Sequence, residues 1–246
     1  MLFRSLAWET TRGRRPFFAF LNFYDAHLPY DPPAEWSSKF SARATALDRY
    51  DGAIAYMDHE VGRVLNELGR RGILDNTVVI IASDHGEGFG EHGLYGHGNS
   101  LYRPELHVPL IVRYPARAPA GWRVESPVSL RDVGATLVDL TGLRTSRPFG
   151  GSSLTALWGS GSAHPSAVVA EVSAGINTEP GAPVSRGAMR SLIDSTAHYI
   201  RNGDGVEELY RYRDDPGELR DVARADSARL TTLRATARQF VDSVRR

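Results

Sequence analysis

The stretch between positions 45 and 82 constrains the fold most, because a helix pattern is followed at once by a buried-strand pattern. From Thr45 to Arg71 apolar residues recur every three or four positions, which predicts an amphipathic helix. These apolar positions are Ile54, Met57, Val61, Leu65 and Leu68. After Gly72 and a polar turn, the run 77–82 is typical of a strand buried on both faces of a sheet. A helix, a short turn and a buried strand in succession predict an α/β fold.

The remaining elements fall into two groups along the chain. In the first group we expect strands at 16–24 and 108–114 and a helix at 132–140. In the second group, after a stretch rich in Gly, Ser and Pro, we expect a strand at 167–172, a hairpin of 190–200 and 207–212 around Asn202-Gly203-Asp204-Gly205, and an amphipathic terminal helix.

These elements predict two domains. Residues 1–163 are expected to form an α/β core, with a mixed, mostly parallel sheet sandwiched by helices. Residues 164–246 are expected to form a small α+β subdomain that contains the antiparallel hairpin and the terminal helix.

Composition excludes several functional classes. The chain has 246 residues, and 29 basic side chains balance 29 acidic ones, so it carries no basic footprint for nucleic acid. No apolar run approaches the ~20 residues of a membrane span. The first residues lack the pattern of a signal peptide, so the compartment stays unknown. There is no cysteine, which excludes disulfides, thiolate metal sites and a cysteine nucleophile.

The most informative segment is the glycine- and histidine-rich loop that follows the predicted strand at 77–82. Asp84 offers a carboxylate oxygen and His85 an imidazole nitrogen, and Gly86 permits the backbone to turn there. Open α/β sheets place ligands at the carboxyl ends of their strands. We therefore predict that Asp84 and His85 bind a metal ion; the alternative is a local turn with a solvated histidine.

Two other histidines are candidates for acid or binding roles. His27 follows the predicted strand at 16–24 in a loop stiffened by prolines, where it could act as a hydrogen-bond donor or general acid. Its alternative is a structural contact with Tyr30. His97 lies between Gly96 and Gly98 and could approach a ligand closely; its alternative is a solvated loop residue.

Several motifs, taken in order, resemble those of the sulfatase family of the alkaline-phosphatase superfamily over nearly the whole chain. The most specific are Ser83-Asp84-His85-Gly86-Glu87, Glu91-His92-Gly93-Leu94 and Val108-Pro109-Leu110-Ile111-Val112. They are accompanied by the loop 24–33, the helix segment 50–65, the segments 128–137 and 150–154, and Asp215-Pro216-Gly217-Glu218 near the end.

The resemblance implies a metal-dependent hydrolase of sulfate esters. Asp84 and His85 would ligate one divalent ion, with Ca²⁺ favoured and Mg²⁺ or Mn²⁺ as alternatives. His27 would contact the sulfate or the leaving oxygen. His97 stands where many members carry a lysine with that role. The expected substrate is a sulfated small molecule or glycan, or a phosphate ester, and the oligomeric state is unknown.

Two features depart from the family pattern. The residue that the family converts to formylglycine lies in a Cys/Ser-x-Pro-x-Arg motif, which this chain lacks. The acidic ligands of the family's opening strand are also missing. We therefore expect the C-terminal part of a sulfatase, inactive alone and exported if a preceding part carries a signal.

Two alternatives to a sulfatase remain open. One is a phosphoesterase, phosphonate hydrolase or phosphoglycerol transferase of the same superfamily, which the Asp84-His85 pair would equally suit. The other is a non-catalytic pseudo-sulfatase that binds an anionic sugar or a partner subunit.

Overall fold

Two compact units make up the chain, Met1–Thr77 and Val78–Arg246. The computed structural model describes residues 15–40, 45–159, 167–175 and 180–244. Within those ranges, no helix has both the length and the apolar character needed to cross a membrane.

The first unit is dominated by one long helix. A short helix α1 (Ala34–Ser37) precedes α2 (Ala46–Arg70). Thr45 caps α2, because its hydroxyl accepts from the Asp48 N–H at 3.2 Å while the Asp48 carboxylate accepts from the Thr45 N–H at 2.8 Å. Gly52 lets the two helices approach closely, since a Cβ there would lie 3.0 Å from the backbone of Ser37. A 3₁₀ turn, Leu74–Asn76, follows.

The first half of the second unit contains two small antiparallel sheets. Strand β1 (Val79–Ala82) pairs with β4 (Leu110–Arg113), and β2 (Gly88–Phe89) pairs with β3 (Tyr95–Gly96). A short helix α3 (Arg103–Leu106) lies between β3 and β4 in the chain. Helix α4 (Asp132–Thr141) ends at Gly142, whose φ of 67° suits glycine.

The second half is a four-stranded antiparallel sheet followed by a helix. The strands, in sheet order, are β5 (Ala167–Val172), β6 (Met189–Asp194), β7 (His198–Arg201) and β8 (Glu207–Tyr210), and the helix is α5 (Ser227–Val244). Three 3₁₀ helices complete the unit: Glu91–Gly93, Leu154–Leu157 and Pro183–Arg186.

Both faces of this four-stranded sheet are covered, since alternate side chains of a strand point to opposite faces. One cluster joins strand residues to helix α5 and includes Leu192, Tyr199, Leu209, Leu233 and Ala237. The other includes Met189, Ile200 and Tyr210 with Leu101, and Leu94, Tyr102 and Leu106 pack against it. Part of the second face is therefore covered by residues that precede the first strand of the sheet by about 60 to 75 positions.

The predicted α/β class is confirmed, and so are most elements. The helix predicted from Thr45, the helix from Asp132, the strand 167–172, the hairpin around 202–205 and the terminal helix all form. The predicted strand 190–200 is two strands, because Asp194 accepts from the N–H groups of Thr196 and Ala197 and closes a turn between them.

One prediction about strands is wrong for the described residues. The run 16–24 is not a strand there, and Phe18 and Phe20 are 73% and 82% exposed. The strand pairs that the described ranges contain are antiparallel. Continuous apolar runs indicate burial but carry no information about strand direction. The predicted boundary between positions 163 and 164 lies outside the described residues and stays a prediction.

Candidate active site

The loop that leaves β1 is held tightly against helix α3. The Gly86 N–H donates to the Glu105 carbonyl at 2.8 Å. A Cβ on Gly86 would lie 2.0 Å from the Pro104 carbonyl oxygen, so only glycine permits this approach. Gly86 therefore brings the backbone of the loop into direct contact with α3.

Glu87 and His97 meet because of the short β2–β3 pairing. Gly88 faces Gly96 across that ladder, so the next positions outward are Glu87 and His97. His97 Nδ1 lies 2.9 Å from Glu87 Oε1, and the Glu87 side chain is only 4% exposed. The carboxylate accepts the Nδ1 proton and thereby makes Nε2 the nitrogen that can exchange a proton with a substrate.

The His85 ring is oriented in a comparable way by a backbone carbonyl. Nδ1 lies 2.8 Å from the Gly86 oxygen, which can only accept, so Nδ1 carries the proton. In the neutral ring Nε2 then presents its lone pair, and it lies 3.7 Å from Asp84 Oδ2. The Asp84 side chain is 88% exposed, so both donors reach solvent on the same side of the loop end.

The two histidines of this loop lie side by side. The rings of His85 and His97 stack with centroids 4.0 Å apart and an interplanar angle of 28°. Asp84, His85, Glu87 and His97 thus form one polar cluster at the end of β1, which we call the loop cluster.

The loop cluster fits part of a metal site. A carboxylate oxygen and an imidazole nitrogen are donors that divalent cations accept, and a carbonyl that orients the second ring nitrogen is typical of metal-binding histidines. In the described ranges, no group of three or more His, Cys, Asp or Glu side chains is arranged to hold a metal ion. Asp84 and His85 therefore present two donor groups of the kind that such a site uses.

Glu105 lies behind the loop cluster and is 6% exposed. Its carboxylate accepts from the Gly98 N–H at 2.6 Å and from the Ser100 hydroxyl. Burial raises the pKa of Glu105, while its hydrogen bonds to Ser100 and to the backbone of 98–100 act in the opposite direction. This buried carboxyl fixes the bend at 97–99 that carries His97.

A second buried network ties the same segment to the four-stranded sheet. His92 stacks on Tyr102 with centroids 3.7 Å apart, and its Nε2 lies 3.0 Å from the Gly217 oxygen. Next to Gly217, the Glu218 carboxylate is 0% exposed and accepts from the Arg103 N–H at 2.9 Å and from His198 Nδ1 at 2.6 Å. The Asp215-Pro216-Gly217-Glu218 motif thus connects α3 to β7.

Tyrosine hydroxyls extend this network. Tyr102 and Tyr210 both donate to Glu208 Oε2, at 3.0 and 2.7 Å. Burial, followed by the Glu208 carboxylate, raises the pKa of both hydroxyls well above their usual range. Both tyrosines are therefore neutral hydrogen-bond donors that hold the network together.

His27 lies in the first unit, on a turn. Its ring stacks on Tyr24 at 4.3 Å, and its Nδ1 lies 2.9 Å from the Leu28 carbonyl oxygen. The Tyr30 N–H donates to the His27 carbonyl oxygen at 3.0 Å. Tyr30 itself is 3% exposed, has a φ of 53° and packs edge-on against Tyr50.

The structure brings together three of the four predicted site residues, Asp84, His85 and His97, within the second unit. The sequence reasoning gave Glu87 little weight and did not single out Glu105. Glu105 gave no signal, because its contacts depend on the fold of the loop. The contact of Glu87 with His97 gave no signal either, because the two strands that align these residues are only two residues long.

Comparison with known proteins identifies the family. The family model described as Sulfatase matches residues 1–143. A choline-sulfatase of Rhizobium meliloti is 32% identical over 197 residues, which cover 75% of this chain and 35% of that protein. A sulfatase of Formosa agariphila is 26% identical over 192 residues, covering 78% of this chain and 35% of that protein.

A solved structure supports the same assignment. The phosphonate monoester hydrolase of Agrobacterium radiobacter superposes with a TM-score of 0.67 and 27% identity, covering 83% of this chain and 42% of that one. The chain spans about a third of the length of the two curated relatives, 35% in each case. The family match covers more than half of the 246 residues, and the chain belongs to the sulfatase family.

Proposed function

We propose that this chain supplies the metal-binding and acid part of the active site of a sulfate-ester hydrolase. The observation that carries the proposal is the loop cluster, in which the Glu87–His97 pair stacks on His85 next to Asp84. Membership of the sulfatase family supports the reaction class.

Asp84 and His85 would hold a divalent cation, and the resemblance to the family favours Ca²⁺, with Mg²⁺ or Mn²⁺ as alternatives. When bound, such a cation stabilises negative charge on the oxygens of the sulfuryl group. The hydrogen bond from His85 Nδ1 to the Gly86 carbonyl keeps Nε2 unprotonated in the neutral ring, as a ligand requires.

His97 would act on the leaving group. In its doubly protonated form it carries a proton on Nε2, which it donates to the departing alkoxide oxygen as the sulfur–oxygen bond breaks. Glu87 holds the opposite nitrogen and so fixes the ring during the transfer. His27 would serve as a second donor to the sulfate or the leaving oxygen.

The nucleophile is not supplied by these 246 residues. They contain no cysteine, and so no precursor of the cysteine-derived formylglycine used in the family. We expect the chain alone to bind a sulfate ester without turning it over. Steady hydrolysis of an aryl sulfate by the wild-type chain, but not by the double variant His27→Ala, Asp84→Ala, would contradict this.

Sulfated small molecules and glycans are the proposed substrates. The choline-sulfatase relative supports a small sulfated molecule. The match to a phosphonate monoester hydrolase favours a second candidate substrate, a phosphonate or phosphate ester. A cation can stabilise negative charge on a sulfuryl or a phosphoryl group, and an acid can protonate the departing alkoxide in both reactions.

The test measures by calorimetry how tightly the chain binds an aryl sulfate in the presence of Ca²⁺, and compares this with its binding of an aryl phosphonate. Removing a hydrogen bond to a charged group weakens binding by roughly tenfold to a hundredfold, so His97→Ala should lose about that much. Glu91→Ala is the matched control, because Glu91 is exposed and its carboxylate accepts from the Phe89 N–H of the same loop at 2.7 Å. Equal sulfate binding by wild type and His97→Ala would overturn the proposal; tighter phosphonate binding would favour the second candidate.

A further inference from the structure

One buried residue, Glu105, contacts the backbone on both sides of the loop cluster. Its side-chain carboxylate accepts from the Gly98 N–H at 2.6 Å and from the Ser100 hydroxyl. Its main-chain carbonyl accepts from the Gly86 N–H at 2.8 Å. Gly98 follows His97 in the chain and Gly86 follows His85, so each bond anchors the residue next to one of the stacked rings.

These contacts leave little freedom for either ring. The Gly86 backbone lies so close to helix α3 that a Cβ would come within 2.0 Å of the Pro104 oxygen. On the other side, Ser100 is 3% exposed, so its bond to Glu105 is shielded from water. The 4.0 Å stacking of His85 on His97 therefore depends on two segments that meet at Glu105.

The chemistry of Glu105 suits positioning better than simple packing. A buried carboxylate costs folding free energy unless its oxygens are satisfied. In the part of the chain that the structure describes, no cationic side chain forms an ion pair with Glu105; its oxygens are met by donors of the 98–100 segment. A carboxylate has two acceptor oxygens in a fixed plane, which an apolar residue of the same volume would lack.

We propose that Glu105 is a positioning residue that holds His85 and His97 in register with each other, through its carboxylate on one side and its carbonyl on the other. This rests on the proposed function of the loop cluster. Glu105 touches neither substrate nor metal in this account and acts only through the two histidine-bearing segments.

The test compares the side-chain nitrogen and proton NMR signals of the histidines in the metal-free chain. In Glu105→Ala the signals of His85 and His97 should move toward those of a free histidine with mixed tautomers. Glu105→Gln should restore most of the wild-type pattern, because an amide can accept from Gly98 and donate to the Ser100 oxygen. His59, on helix α2 of the first unit, is the internal reference and should not move.

The matched control is again Glu91→Ala, which removes an exposed carboxylate from the same loop and should leave His85 and His97 unchanged. If Glu105→Ala does not fold, Ser100→Ala decides the question. It removes one donor to the same carboxylate, and it should move His97 in the same direction but by a smaller amount.

A Ca²⁺ titration forms the second arm. Loss of a group that orients a metal ligand typically weakens metal binding by about 10–100-fold, which we expect for Glu105→Ala and not for Glu105→Gln. Unchanged His85 and His97 signals in Glu105→Ala, or an equal movement of His59, would overturn the positioning role. If the wild-type chain binds no Ca²⁺ while the two signals still move, the proposed metal site fails and the role of Glu105 stands.

Discussion

Replacing Glu218 by alanine should destabilise the second unit strongly. The side chain is 0% exposed, and its carboxylate accepts from His198 Nδ1 at 2.6 Å and from the Arg103 N–H at 2.9 Å. Its removal leaves both donors buried without that acceptor. His198 is itself 1% exposed, and its Nε2 already has no hydrogen-bond partner in the described structure.

The magnitude follows from the burial of the pair. Leaving one buried donor without its acceptor costs about 1–3 kcal/mol, and two donors lose theirs here, so the expected loss is about 2–6 kcal/mol. For a protein of roughly this size, 1 kcal/mol shifts the melting temperature by about 2–4 °C, so the midpoint should fall by about 4–24 °C. Glu218→Gln should lose much less, because its amide oxygen can still accept from one of the two donors.

Urea unfolding at neutral pH, followed by circular dichroism, measures this loss. The matched control is Glu171→Ala, which removes a carboxylate paired with Arg190 on the sheet surface, where the two side chains are 56% and 35% exposed. Exposed pairs contribute at most about 1 kcal/mol. A loss below about 1 kcal/mol for Glu218→Ala would refute the reasoning, as would an equal loss for Glu171→Ala.

Two further predictions concern pH and truncation. Arg234, through its hydrogen bond, lowers the pKa of Glu207 below its ordinary value of 4.5. This contribution to stability is therefore complete above about pH 4.5 and is lost as the pH falls through the lowered pKa. When the free energy of unfolding is measured against pH, its decrease at acid pH should be smaller in Glu207→Gln than in the wild type. An unchanged decrease would count against the Glu207–Arg234 pair. A peptide of residues 164–246 should fold poorly, because the sheet face that packs on Leu101 would be exposed; a cooperative thermal transition from that peptide would contradict this.

Sequence patterns predicted the elements whose signal is local. Helix α2 has both a periodic apolar face and a capping box at Thr45, and strand β5 begins and ends at the predicted residues. The aromatic run 16–24 looked like a buried strand by composition, yet Phe20 is 82% exposed in the structure. The composition of a segment indicates how much apolar surface it could bury, but it does not indicate which other segments are present to cover that surface.

The candidate site was predictable only in part, for a similar reason. Asp84 and His85 follow a strand directly, so their place at its end could be derived from the sequence. The contact of Glu87 with His97 depends on the register of two strands of two residues each, too short to give a pattern. The role of Glu105 depends on a close approach of two backbones, which no periodicity encodes.

The most direct test of the central claim is Ca²⁺ calorimetry on wild type and Asp84→Ala. Two protein ligands leave a hard cation mostly hydrated, since Ca²⁺ takes about 6–8 oxygen ligands, so wild-type binding should be weak. Asp84→Ala should abolish it, while Glu125→Ala, which removes another exposed carboxylate, should leave it unchanged. Equal binding by wild type and Asp84→Ala would remove this residue from the metal site and contradict the account of the loop cluster.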